Sequence, residues 1–177
     1  MGKLYTFSCF LFLSLVNAQP PAVELSSRGF APITITLPAT TNEKLVEVSK
    51  AWAAAYNKPR TDGDQSEPGA DFTDVTENTI TISAFKRNAF NYRSNGEQYQ
   101  FKIRYSMKLV FSQSKYTLTF TTGDIFDENN KLIQYKLTDY FNDDGTVKDG
   151  YTGFKESIDD TVNSIILSHY NFILNYR

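Results

Sequence analysis

Three cations stand two and four residues apart in YQFKIRYSMKLVF (99–111): Lys102, Arg104 and Lys108. They share one parity of a stretch whose other parity is Tyr99, Phe101, Ile103, Tyr105, Met107, Leu109 and Phe111. Successive side chains of a strand point to opposite faces, so the apolar set forms a core face and the cations lie on the other side. In KYTLTFTTG (115–123), Thr117, Thr119 and Thr121 carry the same outward parity. Cations interleaved with hydroxyls suit two roles. They can meet an anionic partner, or they can form the wet side of an antiparallel sheet, where threonine and long cationic stems are favoured. These six residues are the expected contact face for an envelope protein or glycan.

Catalytic chemistry is harder to assemble from this chain. The single histidine, His169, falls inside an apolar helical stripe, where a structural imidazole satisfied by a carbonyl or a tyrosine hydroxyl is expected. The only cysteine, Cys9, lies near the N-terminus within an apolar run, and there is no G-x-S-x-G or HExxH motif. No catalytic residue, cofactor or metal site is expected. Acidic clusters occur at DGDQSE (62–67), DIFDENN (124–130) and DYFNDDGTVKDG (139–150). None has the calcium-loop spacing: counting back from Gly145 puts Tyr140 where the first acidic ligand belongs. Asp124 and Asp127 are the pair that a small hydrolase would use, if the fold brought them together.

The first 18 residues, MGKLYTFSCFLFLSLVNA, combine Lys3, an apolar run and small residues Val16 and Ala18 before Gln19. That pattern reads as a secretory signal peptide cut after Ala18. Its apolar run is shorter than the roughly 20 residues that span a bilayer. Removing it takes away Cys9 and Lys3 and shifts the formal charge from −2 to −3, leaving no disulfide and no basic footprint for nucleic acid. An exported, disulfide-free domain points to a bacterial periplasm or cell exterior.

QPPAVELSSRG (19–29) reads as an extended lead-in, and the remaining chain to residue 177 has the size of a single domain. ITITL (33–37) is a short strand. Thr40 with Glu43 forms a capping box, and Leu45, Val48, Trp52 and Tyr56 trace a helix that stops at Pro59. Residues 60–71 are expected as a loop and 72–77 as a short strand beside ENTITISAF (77–85). The opening stretch and YTLTFTTGDIF pair through a four-residue loop, SQSK, matching Phe111 with Tyr116, Leu109 with Leu118, Met107 with Phe120 and Phe101 with Phe126. Val110 and Ile125 are left facing outward. A long amphipathic helix over 154–177, capped by Thr152, closes the chain. The expected fold is α+β: a two-layer sandwich with an antiparallel sheet of four to five strands and both helices on its apolar face.

This strand, helix, antiparallel meander, helix order resembles one half of the TATA-binding-protein fold. With the leader ending LFLSLVNAQ, the tryptophan of KAWAAAYNKP and the hairpin ending SKYTLTFTTGDIFD, the chain is similar over about residues 30–175 to an uncharacterised family of exported Bacteroidota proteins with that fold. The resemblance implies a fold and a compartment, and brings no active residues with it. The functional expectation is a non-catalytic binding or accessory domain of the bacterial envelope, of unknown ligand and oligomeric state. The alternative is a small periplasmic hydrolase using loop carboxylates.

Overall fold

The computed structural model describes residues 19–62 and 65–176, so the expected leader and its cleavage point lie outside it. In chain order the elements are β1 (Leu25–Ser26), β2 (Gly29–Phe30), β3 (Ile33–Thr36), α1 (Asn42–Tyr56), β4 (Arg60–Asp62), β5 (Gln65–Glu67), β6 (Asp71–Thr73), β7 (Thr79–Ser94), β8 (Glu97–Ser112), β9 (Lys115–Phe126), β10 (Leu132–Ile133), a 3-10 turn (Leu137–Tyr140) and α2 (Phe154–Asn175). Six strands form the main sheet in the order β10-β9-β8-β7-β6, with β3 also on β9. The short strand expected over 72–77 is β6 at Asp71–Thr73, and the sheet exceeds the four to five strands expected through β10, whose two residues are too short to show a period. The stretch expected as a loop over 60–71 instead holds the hairpin β4–β5.

Alternation along β8 and β9 sets the layers. Tyr105, Met107, Leu109, Phe111, Tyr116 and Leu118 are buried beneath the helices. Trp52 of α1 packs edge-on against His169 of α2 with ring centroids 5.0 Å apart, and Phe154 of α2 meets Phe90 of β7 at 5.3 Å. One apolar sheet face therefore serves both helices, as two amphipathic stripes require.

The hairpin register matches expectation at Phe111–Tyr116, Leu109–Leu118 and Met107–Phe120. The turn is tighter than four residues, since Ser112 pairs with Lys115 and leaves Gln113 and Ser114 alone, with Ser114 at φ 61. Farther along, the expected Phe101–Phe126 pair is replaced by Lys102–Phe126. A bulge sets Gly123 and Asp124 opposite the single residue Arg104 and advances β9 by one. Ile125 is thereby turned inward, 1% exposed, where outward placement was expected.

Cap positions also move. Thr41 rather than Thr40 caps α1, its hydroxyl accepting from the Lys44 N–H at 3.3 Å. The two threonines are equivalent by type, and the chain path out of Leu37 selects between them. Thr152 does not cap α2. Its carbonyl accepts from the Arg93 N–H at 3.0 Å, and Gly153, at φ 83, leads into the helix. The lead-in is held by α2: the Asn163 amide accepts from Val23 N–H and donates to Val23 C=O, each at 2.8 Å, and Asp159 accepts from Leu25 N–H at 2.7 Å.

Candidate binding site

The face expected to make contact is built as a hydroxyl carpet. Across it Thr81, Lys108 and Thr119 are neighbours on adjacent strands, as are Ser83, Ser106 and Thr121, while Thr117 stands opposite Val110. The hydroxyls partly satisfy one another, Ser83 Oγ lying 2.7 Å from Ser106 Oγ. The three cations do not act as a set. Lys108 is exposed, and Arg104 reaches Asp71 only at 4.0 Å with both side chains largely in water, an arrangement of small energetic consequence. Lys102 lies past the bulge, where its ammonium donates to Asn130 at 2.5 Å and sits over the rings of Phe126 and Phe85 at 5.0 and 5.3 Å. It is anchored to the protein by these contacts.

A different feature lies at the outer edge of β9. β3 covers that edge from Lys115 to Leu118, and β10 covers it again at Ile125 and Phe126. Between them, on that outer edge, no strand among the described residues pairs with Thr119–Asp124. The Leu37 N–H donates to the Ser114 carbonyl at 2.8 Å, so the even-numbered residues of this part of β9 direct their backbone groups toward the β3 side. Continuing that alternation brings the N–H and C=O of Phe120 and Thr122 to the uncovered edge. Among the described residues no hydrogen-bond partner reaches these groups.

The uncovered edge forms the wall of a cleft of about 520 Å³, a volume in the usual range for ligand sites. Phe30 and Phe120, edge to face at 5.7 Å, make its floor. Tyr135, 65% exposed, stands at its mouth, with Arg28, Lys136 and Asp124 also lining it. Thr119 and Thr121 of the expected face form part of the same lining. Sequence reasoning missed this cleft, although one signal was present: a four-residue strand bounded by Pro32 and Pro38 cannot cover a twelve-residue edge.

The carboxylates are dispersed. Asp124 lines the β9 cleft, whereas Asp127 lines a separate cleft of about 130 Å³ beside Arg87 and Lys102. Asp127 is further committed to its own turn, accepting from the N–H groups of Asn129 and Lys131, each at 2.9 Å. Asp144 likewise accepts from the Thr146 hydroxyl and N–H at 2.6 and 2.9 Å, and these bonds hold its carboxyl below the usual range. The 62–67 cluster falls partly outside the described residues. Among those described, no three His, Cys, Asp or Glu side chains are grouped to hold a metal ion, and no helix is long and apolar enough to cross a membrane.

His169 is wholly enclosed. Its Nδ1 lies 3.2 Å from the Tyr116 hydroxyl and its Nε2 3.0 Å from Ser49 Oγ, and desolvation pushes its pKa down to about 3. Ser49 spends its one hydroxyl proton on the Leu45 carbonyl at 2.8 Å, so the imidazole donates from Nε2 and accepts at Nδ1. The expected structural role, with a tyrosine hydroxyl as partner, is the one the geometry gives it.

An antiparallel sheet carrying two helices on one face makes a two-layer α+β fold. Two solved structures share the fold: a TBP-like protein from Parabacteroides distasonis, with TM-score 0.53 and 14% identity over 83% of this chain and 93% of that one, and a DUF4468 family protein from Bacteroides ovatus, with TM-score 0.53 and 9% identity over 90% and 89%. At these identities the similarity is one of fold. No family model matches the sequence, and no curated protein matches it.

Proposed function

We propose that the protein is a non-catalytic binding or accessory domain of the bacterial envelope, exported to the periplasm or cell exterior. The observation that carries this reading is the cleft on the uncovered edge of β9, where backbone donors and acceptors, an aromatic floor and a rim of charged side chains converge. That combination suits a ligand site. Two further observations weigh against the hydrolase alternative. Asp124 and Asp127 open into different clefts. The Ser49–His169 contact runs from imidazole to hydroxyl, opposite in sense to an activated nucleophile, and both residues are fully buried. The leader-like pattern of residues 1–18 favours the envelope as the compartment.

The test is retention without turnover. The protein is immobilised and challenged separately with peptidoglycan sacculi, purified envelope polysaccharide and a short-peptide library, and bound material is recovered and weighed by mass spectrometry. The expected result is that one class is retained with its mass unchanged. Product formation that is abolished by Asp124→Asn would overturn the reading in favour of a hydrolase.

A further inference from the structure

We propose that the β9 cleft takes an extended peptide segment of another protein, bearing acidic side chains, as an added strand. This rests on the binding reading above and specifies its ligand class. The first support is the backbone. An uncovered sheet edge presents alternating donors and acceptors that only another extended chain matches in spacing, and proteins normally cover or blunt such edges. On β9 the middle of the edge is unpaired, with β2 beside it through Phe30 against Phe120, and both ends are paired, by Ile33 against Leu118 and Ile133 against Ile125. The opening from Thr119 to Asp124 is about 17 Å long at the usual rise per residue, enough for a segment of about five residues. Phe120 and Thr122 offer it two N–H and two C=O groups.

Side chains supply the second support. On an added strand, the parity that faces the helical layer would point into the cleft, over Phe30 and toward Leu137. Arg28, on the β1–β2 turn, and Lys136, beyond β10, also line the cleft, with Asp124 the one carboxylate in the lining. That excess of positive charge favours a peptide with acidic residues. The hydroxyl face is a weaker competitor, because its backbone groups are already used within the ladder and Ser83 and Ser106 bond each other.

The probe is a random octapeptide library displayed on phage, followed by the synthetic peptide that selection yields. Saturating the isotope-labelled protein with that peptide should slow amide exchange at Phe120 and Thr122 by about tenfold or more, and leave Thr117 and Thr119, whose N–H groups already face β8, nearly unchanged. Methylating alternate amide nitrogens of the peptide should weaken binding by about tenfold with every side chain retained, and Arg28→Gln with Lys136→Gln should weaken it severalfold. Thr122→Pro removes one outward donor and no bond to β8, so it should also weaken the peptide if it folds; the methylated-peptide comparison uses the unaltered protein and does not depend on that variant. Selection of no peptide, protection at other amides, or indifference to methylation overturns the proposal. So does a concentration-dependent dimer that protects Phe120 and Thr122 without peptide, which would make the occupant a second copy of this chain. Retention of an envelope polysaccharide with no selected peptide would defeat this inference and leave the broader binding reading standing, whereas turnover would remove that reading.

Discussion

Nε2 of His169 lies 3.0 Å from Oγ of Ser49, and the imidazole is the donor because the serine proton is already given to Leu45. Every polar atom of this buried chain, from Tyr116 through His169 to Ser49 and the α1 backbone, has a partner. Desolvation holds the imidazole neutral, and a proton added at Nδ1 would turn that nitrogen from acceptor to donor and take from the Tyr116 hydroxyl the acceptor for its own proton.

Stability should therefore fall in acid through His169. Its folded pKa is depressed to about 3 against an ordinary value of 6.5, so the unfolded chain takes up a proton that the folded one refuses. The neutral form's contribution is fully present above pH 6.5 and is lost progressively as pH falls toward 3, with a slope of up to about 1.4 kcal/mol per pH unit. Urea unfolding between pH 7.5 and about pH 5 checks this. His169→Leu should be less stable at pH 7.5 by about 1–3 kcal/mol, because Tyr116 loses its acceptor, and should lack this component of the acid slope.

Trp52, the sole tryptophan, is 1% exposed, stacks on Tyr56 at 5.2 Å and donates from Nε1 to Ser168 Oγ at 3.1 Å. Trp52→Ala should cost about 3–5 kcal/mol. Native fluorescence should be blue-shifted and resistant to iodide; red-shifted, quenchable emission would mean that α1 faces away from the sheet.

The cations of the outer face should separate by role. Arg104→Gln and Lys108→Gln should each change stability by less than about 0.5 kcal/mol, as ordinary surface substitutions do. Lys102→Gln should cost about 1 kcal/mol, because it removes the bond to Asn130 and the contacts over Phe126 and Phe85. Equal, negligible losses in thermal unfolding for all three would contradict this division.

Asn95 and Gly96 link β7 to β8 with φ 51 and 85 in a two-residue turn, the paired positive angles that an Asn-Gly hairpin supplies. Gly96→Val should destabilise by about 1–2 kcal/mol, since a β-branched residue resists the left-handed region. A urea midpoint equal to that of the unaltered protein would show that the turn relaxes to another form.

Parity made most of the sheet legible in advance. Tyr105, Met107 and Leu109 alternate with polar residues, so only one register of the central hairpin buries them all. The same rule failed at Ile125 and Phe126, where two adjacent apolar residues fit either face and the Gly123–Asp124 bulge decided between them. Asn163 and Asp159 hold the lead-in through side chains about 140 and 134 residues distant in sequence, a relation that no local pattern encodes. Apart from the shortness of β3, the cleft left no mark in the sequence, for a related reason. It is a gap between β3 and β10, made by where two short strands stop, and residue type along β9 does not announce that its edge is bare.

Contact at the bare edge of β9, and not across the threonine face, is most directly tested by comparing two variants against one selected octapeptide. The first, Arg28→Gln with Tyr135→Ser, alters the cleft. The second, Lys108→Gln with Thr117→Val, alters only the outer face. Isothermal titration should give a Kd raised by about tenfold or more for the cleft variant and within about twofold of the unaltered protein for the face variant. The reverse order, with the face variant impaired and the cleft variant unaffected, would place the site on the sheet face and contradict the assignment.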